Sequence, residues 1–105
     1  MRKATEKEAE KADITAAMRI AARELGVQTA RLYLFGSRAR GDATRASDVD
    51  IAILPDVPLE PGTLARIRDA LEESTIPYEV EVVDLSSADE SFRRKVLAEA
   101  IAWNG

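Results

Sequence analysis

The chain has 105 residues, with 15 Lys and Arg against 19 Asp and Glu for a net charge of −4, and that length predicts one domain with a modest core. It has no cysteine, which excludes disulfides, thiolate metal sites and cysteine nucleophiles, and no histidine, so any bound metal must rest on oxygen ligands. An acidic pI near 4.9 and only 5% aromatics argue against a general nucleic-acid binder, while leaving room for a local basic pocket around one phosphate-bearing ligand.

The N-terminal MRKATEKEAEKAD alternates in charge and is not a signal peptide, and no apolar run approaches membrane-spanning length, so a cytoplasmic location without membrane contact is expected. From about Thr5 to Leu25, Ile14, Ala17, Met18, Ala21, Ala22 and Leu25 recur at three and four, predicting an amphipathic helix, with residues 1 to 10 polar all round and a solvated first turn. Gly26 is placed to end it in a left-handed conformation. The run Arg31 to Phe35 (RLYLF) reads as a buried strand, and RARGD after it as a short helix or turn. Asp48 to Leu54 (DVDIAIL) alternates with the period of a strand with one covered face. PDVPLEPG is then a loop, and Leu64, Ile67, Ala70 and Leu71 predict a helix over 63–74 that Pro77 stops. A third strand is expected from Tyr78 to Asp84. Ser87 and Glu90 have the spacing of a capping box for a last helix carrying Phe92, Val96, Ala100 and Trp103. The order predicts an α/β (α+β) domain spanning 1–105, a small mixed sheet with helices packed on one face.

Two details in residues 34–50, LFGSRARGDATRASDVD, point to chemistry. Asp48 and Asp50 lie two apart on a strand, so both carboxylates leave one face, and their repulsion is relieved by a divalent cation. Alone, such a pair is usually the polar face of an ordinary strand. Gly36-Ser37 at a strand-to-helix junction turns backbone N–H groups outward, where they suit phosphate oxygens, with the Ser37 hydroxyl, Arg38 and Arg40 as further donors. Without the aspartates, the same residues would make a plain turn.

Together, Gly-Ser, ten residues and Asp-x-Asp resemble the motif of the DNA polymerase β-like nucleotidyltransferase superfamily. The form FGSRARGD…SDVDI is similar to its minimal nucleotidyltransferase (MNT) family, and the likeness covers nearly the whole chain. It implies a palm-type fold and a third carboxylate on the strand beside Asp-x-Asp. Glu81 and Asp84 are the two candidates. Strand alternation puts Val80 and Val82 towards the helices and Glu81 with Asp48 and Asp50, while Asp84 shares the valines' parity, so Glu81 is chosen. The family more often has Asp there; Glu is one methylene longer. Glu79 reads as a solvated neighbour.

The resemblance further implies Mg²⁺, with two ions expected and Mn²⁺ an alternative, held by Asp48, Asp50 and Glu81. It implies a nucleoside triphosphate, ATP foremost, whose phosphates meet Gly36, Ser37, Arg38, Arg40 and Ser47. The acceptor would be a hydroxyl, with Glu81 as its base. MNT proteins are often encoded beside a HEPN-type toxin and act as its antitoxin, some by moving AMP onto a partner tyrosine. A homo- or hetero-oligomer accords with this. Two other readings are a binding antitoxin that works by contact alone and a small-molecule nucleotidyltransferase of the antibiotic-modifying type.

Overall fold

The computed structural model describes residues 5–103, so the solvated turn expected at the N-terminus is described only from residue 5 onward. The elements are α1 (Glu6–Leu25), β1 (Ala30–Phe35), α2 (Ser37–Arg40), β2 (Val49–Pro55), α3 (Thr63–Glu72), β3 (Val80–Asp84), α4 (Glu90–Glu99) and β4 (Ile101–Ala102). The four strands form one mixed sheet in the order β3-β2-β1-β4. β1 runs antiparallel to both β2 and β4, and β2 runs parallel to β3. A parallel neighbour cannot be reached by a hairpin, and α3 is the crossover that returns the chain.

α1 starts because the Thr5 hydroxyl accepts from the Glu8 N–H (3.1 Å) and Glu6 and Glu8 face the positive end of the helix dipole. It stops at Gly26, whose φ of 62° suits a residue without Cβ. Its buried stripe of Ala17, Met18, Ala21 and Leu25 joins Ile67 and Leu71 of α3 over the sheet residues Leu32, Val49, Ile51, Ile53 and Val82. Thr63 is wholly buried within this layer, its hydroxyl accepting from Gln28 Nε2 at 3.0 Å.

α1 and α3 thus cover one face, as the alternation of β2 requires. The other face is also partly covered. Val96 of α4 packs on Ala52 and Leu85, with Tyr33, Phe35, Val83 and Ala88 around them, and the Phe35 and Phe92 rings meet edge-on at 6.3 Å. Asp50 and Glu81, level with each other and with Phe35, belong to this second face, so α4 borders these carboxylates.

The last helix differs from expectation at both ends. Asp89 is its cap, accepting from the Phe92 N–H at 2.8 Å. The Ser87 hydroxyl is instead donated to the Asp84 carbonyl at 3.2 Å, part of the turn that leaves β3. The helix ends at Glu99. Ile101 and Ala102 pair with Leu34 and Tyr33, and the Trp103 N–H donates to the Leu32 carbonyl at 2.9 Å. The open edge of β1 offers these residues backbone partners, and Trp103 packs beside the α1 layer rather than along α4.

Candidate active site

The site forms where three strand ends meet. β1 delivers Phe35 opposite Asp50 of β2, and β2 sets Asp50 level with Glu81 of β3. Residues level with each other on adjacent strands point to the same side, so Glu81 joins Asp50. Asp48 lies immediately before β2 rather than within it. Asp84 pairs with Ile53, and its carboxylate accepts from the Ser86 N–H (2.9 Å) and hydroxyl (2.7 Å), closing a turn.

Asp50 is the inner carboxylate, partly buried, while Asp48 and Glu81 are exposed. Burial raises the Asp50 pKa above its ordinary 3.8, and Glu81 and then Asp48 push it the same way, against the pull of Arg40 and Arg38. Asp50 therefore feels the charge of both other carboxylates. Among the described residues, no three carboxylate, imidazole or thiolate groups are already gathered as a metal cage. The donor set still fits a hard dication, because it is all oxygen, open to solvent and carries an excess of negative charge. Asp48, Asp50 and Glu81 are the residues that could hold it.

Gly36 links loop and carboxylates. Its φ of 75° and ψ of −157° fall in a region open to glycine alone, and an added Cβ would collide with Asp50 Oδ2 and lie 3.1 Å from Cγ. The Gly-Ser turn is thus packed directly on the second aspartate. Ser37 opens the one-turn helix α2, and its carbonyl accepts from the Gly41 and Asp42 N–H groups. Gly41, at φ 84°, ends that turn.

The two arginines of the loop part company. Arg40 is 43% exposed and bridges Asp42 (3.3 Å) and Glu99 of α4 (3.1 Å), leaving its charge beside Asp50. The side chain of Arg38 is 2% exposed. Its guanidinium binds Glu10 (2.7 Å) and the Ser47 carbonyl (2.7 Å), and it lies 4.2 Å from the centre of the Tyr78 ring. Ser47 likewise closes a local turn, its hydroxyl accepting from the Thr44 N–H at 2.9 Å. Arg38 and Ser47, expected on the phosphates, are engaged with the protein. The sequence reading missed Glu10, Tyr78 and Glu99. Their partners lie far along the chain, and a lone Glu on a polar helix face carries no periodic signal.

A mixed sheet bearing a Gly-Ser turn against an Asp-x-Asp strand end, with a third carboxylate one strand over, defines a protein of the nucleotidyl-transfer class. Residues 19–102 match the family described as "Polymerase beta, Nucleotidyltransferase", and the chain belongs to that family. Over 62 residues it is 37% identical to the "Probable protein adenylyltransferase MntA" of Haemophilus influenzae. That match covers 59% of this chain and 54% of the relative, so the chain spans about half the length of that relative. A solved "Structure of putative minimal nucleotidyltransferase" superposes with a TM-score of 0.69 at 29% identity, covering 95% of this chain and 98% of that one. A toxin–antitoxin crystal structure with AMP-PNP superposes equally well, at 0.69 and 27% identity over 86% of this chain and 73% of the other.

Proposed function

We propose that this protein transfers AMP from ATP to a hydroxyl acceptor, with a tyrosine of a HEPN-type toxin as the acceptor, and acts as that toxin's antitoxin. The observation that carries the reading is the seating of Gly36 on Asp50, with Glu81 level with it on the next strand and the charge of Asp48 close enough to act on it. A turn built to meet phosphates is held within one residue's reach of a carboxylate cluster. The MntA relative and the neighbour solved with AMP-PNP support an adenine nucleotide and a toxin–antitoxin setting.

In this mechanism the backbone of Gly36 and Ser37 receives the β and γ phosphates, because the first N–H groups of α2 have no partner within the helix. Arg40 supplies positive charge at the same mouth. Asp48 and Asp50, with Glu81 beside them, would hold Mg²⁺, which when bound would supply Lewis-acid charge to the phosphates. The acceptor oxygen attacks the α-phosphorus, its proton passes to the Glu81 carboxylate, and the bond to the β-phosphate breaks to release pyrophosphate. Asp50 needs to be ionised for this work, and the guanidinium of Arg40 favours that state.

The test is mass spectrometry of a purified HEPN-type partner incubated with this protein, ATP and Mg²⁺. The partner should gain the mass of AMP on a tyrosine, and Asp48→Asn should abolish the gain. A partner neutralised at unchanged mass, equally well by Asp48→Asn, would replace the enzyme reading with that of a binding antitoxin.

A further inference from the structure

Arg38 sits one residue from the Gly-Ser pair, yet its charge is used inside the protein. Nη1 donates to Glu10 of α1 at 2.7 Å, and Nη2 donates to the Ser47 carbonyl at 2.7 Å and to the Thr44 carbonyl at 3.4 Å. The guanidinium plane is backed by the Tyr78 ring at 4.2 Å, and the side chain is 2% exposed. The N–H on Nε is buried and has no partner among the described residues. A ligand phosphate has no open approach to such a group. Ser47, by contrast, is the residue immediately before Asp48. Resting on the nucleotidyl-transfer reading above, we infer that Arg38 is a positioning residue: anchored by Glu10 and Tyr78, it grips the Ser47 carbonyl and so sets Asp48 against Asp50.

The physical case rests on where Asp48 lies. Asp50 is held by ladder pairing on both sides, to Phe35 and to Glu81, whereas Asp48 lies outside the strand at the end of the long connection from α2. That connection is tied at its start by the Asp42 N–H to the Ser37 carbonyl (3.1 Å) and closed near its end by the Ser47 N–H to the Thr44 carbonyl (3.1 Å). These bonds shape the turn but do not attach its last residues to the body of the protein. The exposed Arg45–Glu6 ion pair ties the loop to α1 from outside, and the Val49 N–H on the Glu79 carbonyl (2.9 Å) fixes the residue after Asp48. Arg38 attaches the loop from inside, because one planar fork reaches α1 on one side and two carbonyls of the loop on the other. Lysine offers a point charge and cannot reproduce that bridge. Tyr78 adds a flat surface that keeps the fork in plane. The division of labour between the arginines follows: Arg40, 43% exposed, can turn from its surface partners Asp42 and Glu99 to a phosphate, and Arg38 orders the metal-binding carboxylate.

The experiment measures Mn²⁺ binding by electron paramagnetic resonance, amide exchange at Thr44 and Ser47, and nucleotide KM and kcat. The variants are Arg38→Lys, Arg38→Met, Tyr78→Phe and Tyr78→Leu. Arg38→Lys and Arg38→Met should weaken Mn²⁺ binding about tenfold, the effect typical of groups that orient a metal ligand. Exchange at Thr44 and Ser47 should quicken while core amides of β2 stay protected, and kcat should fall with nucleotide KM nearly constant at saturating metal. Tyr78→Phe keeps the ring and should keep Mn²⁺ affinity; Tyr78→Leu should weaken it. A rise in nucleotide KM with unchanged Mn²⁺ affinity would overturn the inference in favour of direct phosphate contact. Lower thermal stability with unchanged Mn²⁺ affinity would reduce Arg38 to a structural tie, also overturning it. The expected Mn²⁺ pattern in a chain that transfers no nucleotide would sink the transferase reading alone and leave Arg38 as assigned. A wild-type chain that binds no Mn²⁺ overturns the positioning role whatever its activity.

Discussion

Replacing Gly36 with alanine adds one methyl group at a position that rejects it for two separable reasons. The backbone, at φ 75° and ψ −157°, occupies a region costing about 1–3 kcal/mol for any residue with a Cβ. The new carbon also meets the Asp50 carboxylate and lies 3.1 Å from its Cγ, so the side chain must swing aside. A displacement of roughly 30° from a staggered rotamer costs about 0.5–1.5 kcal/mol. Gly36→Ala should therefore destabilise the domain by about 2–4 kcal/mol, a fall in Tm on the order of 10 °C or more. Urea unfolding of the wild type, Gly36→Ala, Asp50→Ala and the double variant separates the two causes. Without the Asp50 carboxylate the backbone strain persists and the collision is gone, so Gly36→Ala should cost about 0.5–1.5 kcal/mol less in that background. Equal costs in both backgrounds would refute the claim that Gly36 is needed for its contact with Asp50, leaving only its backbone conformation as the reason.

Asp50→Asn should stabilise the fold while abolishing transfer, because the ionised carboxylate is partly buried beside Glu81 and Asp48. Relief of a like-charge cross-strand pair is worth on the order of 0.5 kcal/mol, or a Tm gain of about 2–4 °C at neutral pH. Since the folded-state pKa is raised, the wild type is favoured by protonation below 3.8 and loses that stability as pH rises through the raised value, so the variant's advantage should vanish in acid. Thermal melts of both proteins across that range check the sign. Glu81→Gln should lower AMP transfer by roughly 100-fold or more while ATP still binds, as read by radiolabel transfer and calorimetry. Asp84→Ala should instead cost about 1 kcal/mol of stability through the lost Ser86 bonds, with turnover per folded molecule kept. If the two variants exchange roles, the face assignment of β3 is wrong. Phe92→Ala should destabilise by about 1 kcal/mol in urea, reporting the edge-on contact that holds α4 over the carboxylate face.

Much of this molecule was legible in the residues alone. Period-two alternation in DVDIAIL and the parity of Val80, Glu81 and Val82 put Glu81 on the face of Asp50, once the family resemblance implies that the two strands are neighbours, because side chains on a strand have only two faces to choose from. The three-and-four spacing in α1 and α3 names the buried stripe of each for a similar reason. Local rules failed where two local options were close in energy. Ser87 and Asp89 could each cap the last helix, and the turn from Asp84 claimed Ser87, leaving Asp89 to start it. Residues 101–103 could continue a helix or pair with an open edge, and only the neighbouring β1 decides between them. The arginines show the limit most sharply. RAR offers two similar cations to the loop, and nothing in their spacing separates them. Arg38 is buried because Glu10, 28 residues earlier, and Tyr78, on the approach to β3, converge on it, whereas Arg40 meets Glu99 at the protein surface. Alternation and helical period act between near neighbours and can be read along the chain. The fate of a buried charge depends on partners that only folding brings within hydrogen-bond distance.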